Sequence, residues 1–198
     1  DAPSGRAATL QRAARWLAAR GDATSLGNEI HYGSGEPVDL VWTFPGQGAQ
    51  RVGALASATR CRAGALALEQ LGKPEGRSLF HWERHSDGDA LAIHLALYAA
   101  GVCWAAVLER AGVPRAASTG HSLGAFAALA AAGWLDPREG VDLVQARGRA
   151  LVACPPGGML AVRLDREEAE ALAAETGLAV AALNAPGSAV LAGDEDCL

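Results

Sequence analysis

The sequence lacks clustered cysteines and any excess of basic residues. No Cys-x-x-Cys pair and no histidine at zinc-finger spacing accompany the cysteines, which argues against a zinc finger. We expect reduced, mostly buried thiols at all four cysteines, Cys61, Cys103, Cys154 and Cys197. The formal net charge of −5 argues against nucleic acid as the main partner, because binding to phosphates needs a basic face.

Long apolar runs and a leader-like N-terminus are also missing. We find no run of about 18 apolar residues of the kind that crosses a bilayer. No basic segment followed by an apolar stretch opens the chain. The sequence therefore predicts neither a membrane span nor a secretory signal, and we expect a cytoplasmic protein. Its 198 residues, of which 50% are hydrophobic, suffice for one or two domains with a sizeable core.

The first 37 residues have the composition of a connector. Residues 8–20 carry apolar side chains at helical spacing, and Gly21 follows as a C-cap. Residues 22–37 are rich in Gly, Asp, Asn and Ser and predict a linker. Residues 1–37 are therefore interpreted as an N-terminal linker before the domain proper.

Residues 38–154 alternate short strands with helices, which predicts an α/β fold. Residues 73–88 are polar and are expected to be irregular. The predicted strands are 38–44 and 116–119, the second of them buried, and the predicted helices are 54–71, 89–111, 124–132 and 137–152.

A Pro-Pro-Gly-Gly run at 155–158 breaks this pattern and predicts a subdomain boundary. A strand, a helix and two further strands are predicted after it, and Asp194 then has the character of a helix start. A β-α-β-β segment that stops there is an unfinished ferredoxin-like unit. Residues 155–198 are thus expected to form an incomplete small subdomain, with elements at 159–164, 165–175, 178–183 and 189–192.

A Gly-x-Ser-x-Gly sequence, residues 120–124, stands between a predicted strand and a predicted helix. Such a turn raises the serine hydroxyl away from the backbone, so Ser122 is a candidate nucleophile. The helix that follows directs free N–H groups at the site, and the N–H of Leu123 is the natural donor to an oxyanion. Ser122 could instead be the N-cap of an ordinary helix. His121 is interpreted as an orienting or packing residue, because neighbours on a tight turn point in different directions.

Two kinds of enzyme share this turn, an α/β-hydrolase and a malonyl-type acyltransferase. Residues 44–50, Phe-Pro-Gly-Gln-Gly-Ala-Gln, resemble the N-terminal signature of malonyl-CoA:acyl-carrier-protein transacylases and of the acyltransferase domains of polyketide and fatty-acid synthases. The segments 95–98, 157–162 and 184–186 also resemble this family, and the likeness extends from residue 38 to residue 198. It implies an α/β-hydrolase-like large subdomain with a parallel sheet.

The resemblance also implies roles for individual residues. The N–H of Gln47 would complete an oxyanion hole with that of Leu123. Arg147 follows Ser122 at the family's spacing for an arginine that pairs bidentately with the free carboxylate of a malonyl-type group, a task that suits a planar guanidinium.

Two positions depart from the family's pattern. Ala125 replaces an acidic residue, and His94 replaces a glutamine, so that His94 either faces the pocket or is satisfied within its helix. The family's general-base histidine is expected beyond Leu198, and without it a serine is a weak nucleophile. None of the histidines present matches it, namely His31, His81, His85, His94 and His121.

The activity implied is ping-pong transfer of an acyl group from acyl-CoA to the phosphopantetheine thiol of an acyl carrier protein, through an acyl-serine. No bound cofactor and no metal are expected. The N-terminal connector favours a domain of a polyketide synthase, with neighbouring synthase domains as partners, over a free-standing transacylase. The alternatives are a thioesterase or esterase, and an inactive domain that docks a carrier protein. The sequence does not specify the extender unit.

Overall fold

The computed structural model describes residues 3–19, 25–26, 30–31, 38–86 and 88–198, and the chain forms two compact units, residues 1–40 and 41–198. In the first unit, helix α1 (Pro3–Ala19) precedes strands β1 (Ser25–Leu26) and β2 (Ile30–His31), which pair antiparallel. The helix begins earlier than predicted, at a proline suited to the first helical position. The predicted linker contains this short strand pair, and Gly21 lies outside the described residues.

In residues 41–152 of the second unit, where the structure describes them, two parallel strands lie among six α-helices. Strands β3 (Val41–Phe44) and β4 (Ala117–Gly120) pair in parallel, with Phe44 opposite Gly120. The α/β class with a parallel sheet is confirmed. The helices are α2 (Ala54–Ala58), α3 (Arg62–Leu71), α4 (Leu79–Arg84), α5 (Ala90–Arg110), α6 (Gly124–Ala131) and α7 (Pro137–Val152).

Three predicted elements of this region need correction. The helix predicted at 54–71 is divided into α2 and α3, because the Thr59 hydroxyl donates to the Leu55 carbonyl and Cys61 is extended. The region expected to be irregular contains α4, whose first turn is capped by the Ser78 side chain. Strand β4 is only partly buried, with alternate residues exposed.

Helix α5 is the centre of the main core. Its N-terminus is capped by Asp89, whose carboxylate accepts from the N–H groups of Leu91 and Ala92. By length and composition it could cross a membrane, so the expectation that no such run exists is wrong. More than half of its apolar window is buried inside the protein, as in a core helix.

The cysteines are all free, but only Cys103 on α5 is fully buried. Burial raises the pKa of its thiol to about 12, which makes it a poor nucleophile. Cys154 and Cys197 are exposed, so the expectation of mostly buried thiols is wrong for them.

The last part of the chain has a small core of its own. Strands β5 (Gly158–Val162), β6 (Ala179–Ala185) and β7 (Ser188–Gly193) form an antiparallel sheet in the order β5-β7-β6, and helix α8 (Arg166–Thr176) follows β5. Ala169 and Ala173 of α8 pack on Ala189 and Leu191 of β7. The predicted order of strand, helix, strand and strand is observed, and Asp194 caps a 3₁₀ turn.

Candidate active site

The turn at Ser122 is strained. Strand β4 ends at Gly120, α6 begins at Gly124, and Ser122 between them has a φ of 50°, in the left-handed region that side chains other than glycine rarely adopt. A residue held there costs on the order of 1–3 kcal/mol, which the surrounding packing must offset. The serine is exposed. The predicted strand-turn-helix is therefore present, with an accessible hydroxyl at its bend.

The two glycines of this turn are needed for close packing. A Cβ on Gly120 would collide with the backbone of Gly124, and a Cβ on Gly124 would collide with the carbonyls of Phe44 and Pro45. The residues after β3 thus lie directly against the start of α6. The N–H of His121 also donates to the carbonyl of Phe44 at 3.1 Å, which ties the two loops together.

The glutamine loop therefore begins beside the serine turn. A Cβ on Gly46 would come within 2.8 Å of the His121 carbonyl oxygen, and Gln47 is the next residue. The side chain of Gln50 accepts from the N–H of Gly48 at 2.8 Å and holds the loop's bend. Among the described residues, no acceptor pairs with the backbone N–H of Gln47 or of Leu123. Both N–H groups therefore retain their capacity to donate a hydrogen bond.

Arg147 of α7 lies between Ser122 and His94. Its Nη2 donates to the Ser122 hydroxyl at 3.4 Å, and its Nη1 lies 2.7 Å from Nε2 of His94. The start of α7 is fixed by the Asp136 side chain, which accepts from two N–H groups of the first turn, and by Pro137 at its first position. The structure thus brings the predicted guanidinium to the predicted nucleophile.

His94 is fully buried in α5 and packs against α7. Burial lowers the pKa of His94, the charge of Arg147 lowers it further, and a hydrogen bond to the Val144 backbone acts in the opposite direction. His94 is consequently neutral near pH 7. It lies behind Arg147 instead of lining an open pocket, and its contact is with a site residue.

His121 has a different setting. Its backbone and ring lie against Gly46, and within the described part of the chain its ring makes no hydrogen bond to Ser122. This contact fits a packing role. No group of three or more His, Cys, Asp or Glu side chains able to hold a metal occurs among the described residues.

A cavity of about 260 Å³ adjoins the turn on its inner side, where Leu123 and Gly124 line it together with Phe44, Pro45 and Gln50. The hydroxyl of Ser122 and the guanidinium of Arg147 do not line it, so the candidate chemistry lies on the open side of the turn.

The buried residue Glu83 also lines this cavity, and its role was not predicted from the sequence. Its Oε1 accepts from the N–H of Leu55 at 2.8 Å and so satisfies the first turn of α2. The sequence carries no signal for this contact, because Glu83 and Leu55 belong to different helices.

Comparisons with known proteins identify the family of the chain. A family model described as the acyl transferase domain matches residues 41–198. The chain is 33% identical over 177 residues to polyketide synthase GfsE of Streptomyces halstedii, covering 80% of this chain and 5% of that protein. It is 35% identical over 182 residues to the spectinabilin polyketide synthase system protein NorA' of Streptomyces orinoci, covering 82% and 5%.

Solved structures of similar fold are also acyltransferases. The fold is similar to a malonyl-transacylase solved in complex with a type II PKS acyl-carrier protein, with a TM-score of 0.70, 27% identity, and 81% of this chain and 56% of that chain covered. It is also similar to the malonyl CoA-acyl carrier protein transacylase of Coxiella burnetii, with a TM-score of 0.71, 28% identity, and coverage of 81% and 55%. The chain therefore belongs to the acyl transferase domain family. It spans about half the length of these transacylases and about 5% of the polyketide synthases.

Proposed function

We propose that this chain takes part in the transfer of a malonyl-type acyl group from CoA to the phosphopantetheine thiol of an acyl carrier protein, with Ser122 as the nucleophile. The observation that carries the proposal is the contact of the Arg147 guanidinium with the Ser122 hydroxyl at 3.4 Å. A permanent cation beside a nucleophile suits a substrate with a second, anionic end.

The distance also favours a short acid. In a malonyl thioester the carboxylate carbon is separated from the reacting carbonyl carbon by a single methylene. When that carbonyl meets the hydroxyl of Ser122, its carboxylate therefore lies within reach of Arg147. A simple esterase has no use for a cation in this place, so the thioesterase and esterase alternative is less well supported.

Two backbone donors would stabilise the oxyanion. The N–H groups of Gln47 and Leu123 belong to loops packed against each other, and the N-terminus of α6 follows the turn. Each such donor contributes roughly 10²–10³ in rate at other oxyanion holes. This assignment rests on the packing of the two loops.

The reaction would proceed in two balanced steps. The Ser122 oxygen attacks the thioester carbonyl, its proton passes to a general base, and the C–S bond breaks to release CoA as a thiol. The carrier thiol then attacks the acyl-serine, and the serine oxygen takes back a proton. The base is proposed to be a histidine beyond Leu198, as the family resemblance implies, and a positioned base contributes about 10²–10⁴ in rate.

The partners and setting belong to the same proposal. A transacylase of similar fold is known in complex with an acyl-carrier protein, and curated relatives are polyketide synthases, which supports a carrier protein and neighbouring synthase domains as partners. A cytoplasmic location is part of the same proposal. Residues 38–154 would form an α/β-hydrolase-like large subdomain and residues 155–198 a ferredoxin-like small one, after a linker at residues 1–37. No bound cofactor is needed.

The test is formation of an acyl-serine. The chain is incubated with malonyl-CoA, with and without added imidazole as a substitute base, and its intact mass is measured. We expect a malonyl adduct that forms faster with imidazole and is absent from Ser122→Ala. Absence of an adduct even with imidazole would overturn the proposal and favour the docking alternative. Rapid release of free malonate would favour a thioesterase.

A further inference from the structure

Helices α5 and α7 approach each other closely at His94. Gly140, Val144 and Gly148 recur every fourth residue on α7 and are buried against α5. A Cβ on Gly148 would lie 2.9 Å from the Cα of Leu91 and 3.4 Å from Nδ1 of His94. The glycine thus lets the backbone of α7 reach the buried imidazole, and Arg147 is its neighbour in sequence.

The direction of the contact between His94 and Arg147 follows from donor chemistry. A guanidinium can only donate, so Nε2 of His94 at 2.7 Å from Nη1 must be the acceptor. The proton of the neutral ring then resides on Nδ1, and the Val144 backbone carbonyl accepts from the ring. Nη1 is 3.5 Å from Nδ1, which is the longer of its two ring contacts. Both ring nitrogens therefore make hydrogen bonds to residues of α7.

We propose that His94 is a positioning residue, which accepts a hydrogen bond from Nη1 of Arg147 and so holds the guanidinium beside Ser122. The proposal rests on the proposed function for its substrate, since it is the malonyl-type carboxylate that Arg147 would bind. With Nη1 anchored on the buried ring, Nη2 points at the Ser122 hydroxyl and is positioned to meet an incoming carboxylate. A side chain that lacks an acceptor here would leave the long arginine free to adopt other rotamers.

The arrangement requires a neutral imidazole. Protonated Nε2 would turn a donor toward the donor Nη1, and two positive charges would lie 2.7 Å apart. The guanidinium of Arg147 is the charged group that lowers the pKa of His94. The other α7 residues in contact with the ring, Val144 and Gly148, are uncharged. Acidic pH should therefore break the hydrogen bond between Arg147 and His94, and selectivity for carboxylated acyl groups should be lost.

The kinetic test compares His94→Gln with His94→Leu in acyl loading from malonyl-CoA and acetyl-CoA, with imidazole present. Glutamine keeps an acceptor and a donor and cannot titrate, whereas leucine keeps only volume. We expect His94→Leu to lose about 10-fold or more in malonyl loading, mainly through KM, with acetyl loading nearly unchanged. His94→Gln should keep the malonyl preference and hold it at acidic pH, where the native protein loses it. Equal losses for both acyl groups, or identical pH profiles for the native protein and His94→Gln, would overturn the proposal.

A second measurement reads the contact without any substrate. In nitrogen-labelled protein, NMR of the histidine rings should show His94 neutral near pH 7 with its proton on Nδ1. Arg147→Ala should shift the Nε2 resonance of His94, whereas His85→Gln, at the residue that follows α4, should not. A proton on Nε2, or no response to Arg147→Ala, would overturn the positioning role. If the NMR resonances are as predicted but no acyl group is loaded, the contact between His94 and Arg147 is supported and the proposed function is overturned.

Discussion

Three side chains form a line at the centre of this site, from the buried ring of His94 through the guanidinium of Arg147 to the exposed hydroxyl of Ser122. The two separations are 2.7 Å and 3.4 Å. The position of the Arg147 guanidinium depends on the protonation of His94, because the ring must be neutral to accept its hydrogen bond. The strained backbone at Ser122, with a φ of 50°, holds its hydroxyl exposed to solvent.

The low pKa of His94 makes a prediction about stability. Below about pH 6.5 the unfolded chain binds a proton at this histidine, and the folded chain resists it because burial and Arg147 disfavour the charge. The free energy of unfolding should therefore fall as pH drops from about 6.5 through the lowered pKa of the folded state. His94→Gln lacks this contribution, so its urea midpoint should fall less between about pH 7.5 and pH 5.5.

Other groups titrate in the same range, but they are present in both proteins and cancel in the difference. Equal falls in the two urea midpoints would show that His94 is not held neutral by its surroundings.

The sequence predicts the residues of this site better than their contacts. Ser122, Gln47 and Arg147 lie in motifs whose order and spacing can be read from the chain. The role of His94 could not be predicted, because it depends on α7 approaching α5 through Gly148. Glu83 was missed for the same reason, since its partner Leu55 belongs to a distant helix.

Among the elements, the pairing of α5 and α7 determines where the guanidinium lies. Gly140 lets α7 approach Tyr98, whose hydroxyl donates to the Pro137 carbonyl at 2.8 Å, and Gly148 does the same at Leu91. The two contacts lie toward opposite ends of α7 and set its distance from α5. Arg147, adjacent to the second of them, is placed by backbone packing.

Gly148→Ala tests this placement. The added methyl would meet the Cα of Leu91 at 2.9 Å, and overpacking of this kind costs about 1–3 kcal/mol. The gain in helix propensity from glycine to alanine is roughly 1 kcal/mol, so we expect a net loss of up to about 2 kcal/mol. Displacement of α7 should also slow malonyl loading. Urea unfolding and intact mass measure the two effects.

The control for this variant is Arg149→Ala, on an exposed part of the same helix. Its surface ion pair with Glu75 contributes about 0–1 kcal/mol to stability. This variant should therefore load the malonyl group at the native rate. Unchanged stability and loading in Gly148→Ala would show that α7 can move without consequence for Arg147.

Element boundaries follow local chemistry where a cap is present. Asp89, Asp136 and Asp165 each accept N–H groups of a helix's first turn, and α5, α7 and α8 begin within a residue of their predicted starts. The break between α2 and α3 was not predicted, since no glycine or proline marks it. The apolar length of α5 was overlooked, and only tertiary packing distinguishes a core helix from a membrane span.

At the scale of the whole molecule, the second unit carries the site and matches the acyl transferase domain family from residue 41 to residue 198. It contains the serine, the arginine and the glutamine loop of the proposed reaction. The general base remains a predicted histidine beyond Leu198. Imidazole in the assays supplies this function, so that the contribution of the described residues can be measured on their own.

The most direct test of the account is a competition between two acyl donors. The chain is incubated with an equimolar mixture of malonyl-CoA and acetyl-CoA in the presence of imidazole, and the adducts on Ser122 are resolved by intact mass. The account predicts that malonyl dominates in the native protein and that acetyl takes over in Arg147→Ala. An unchanged ratio of the two adducts in Arg147→Ala would contradict it.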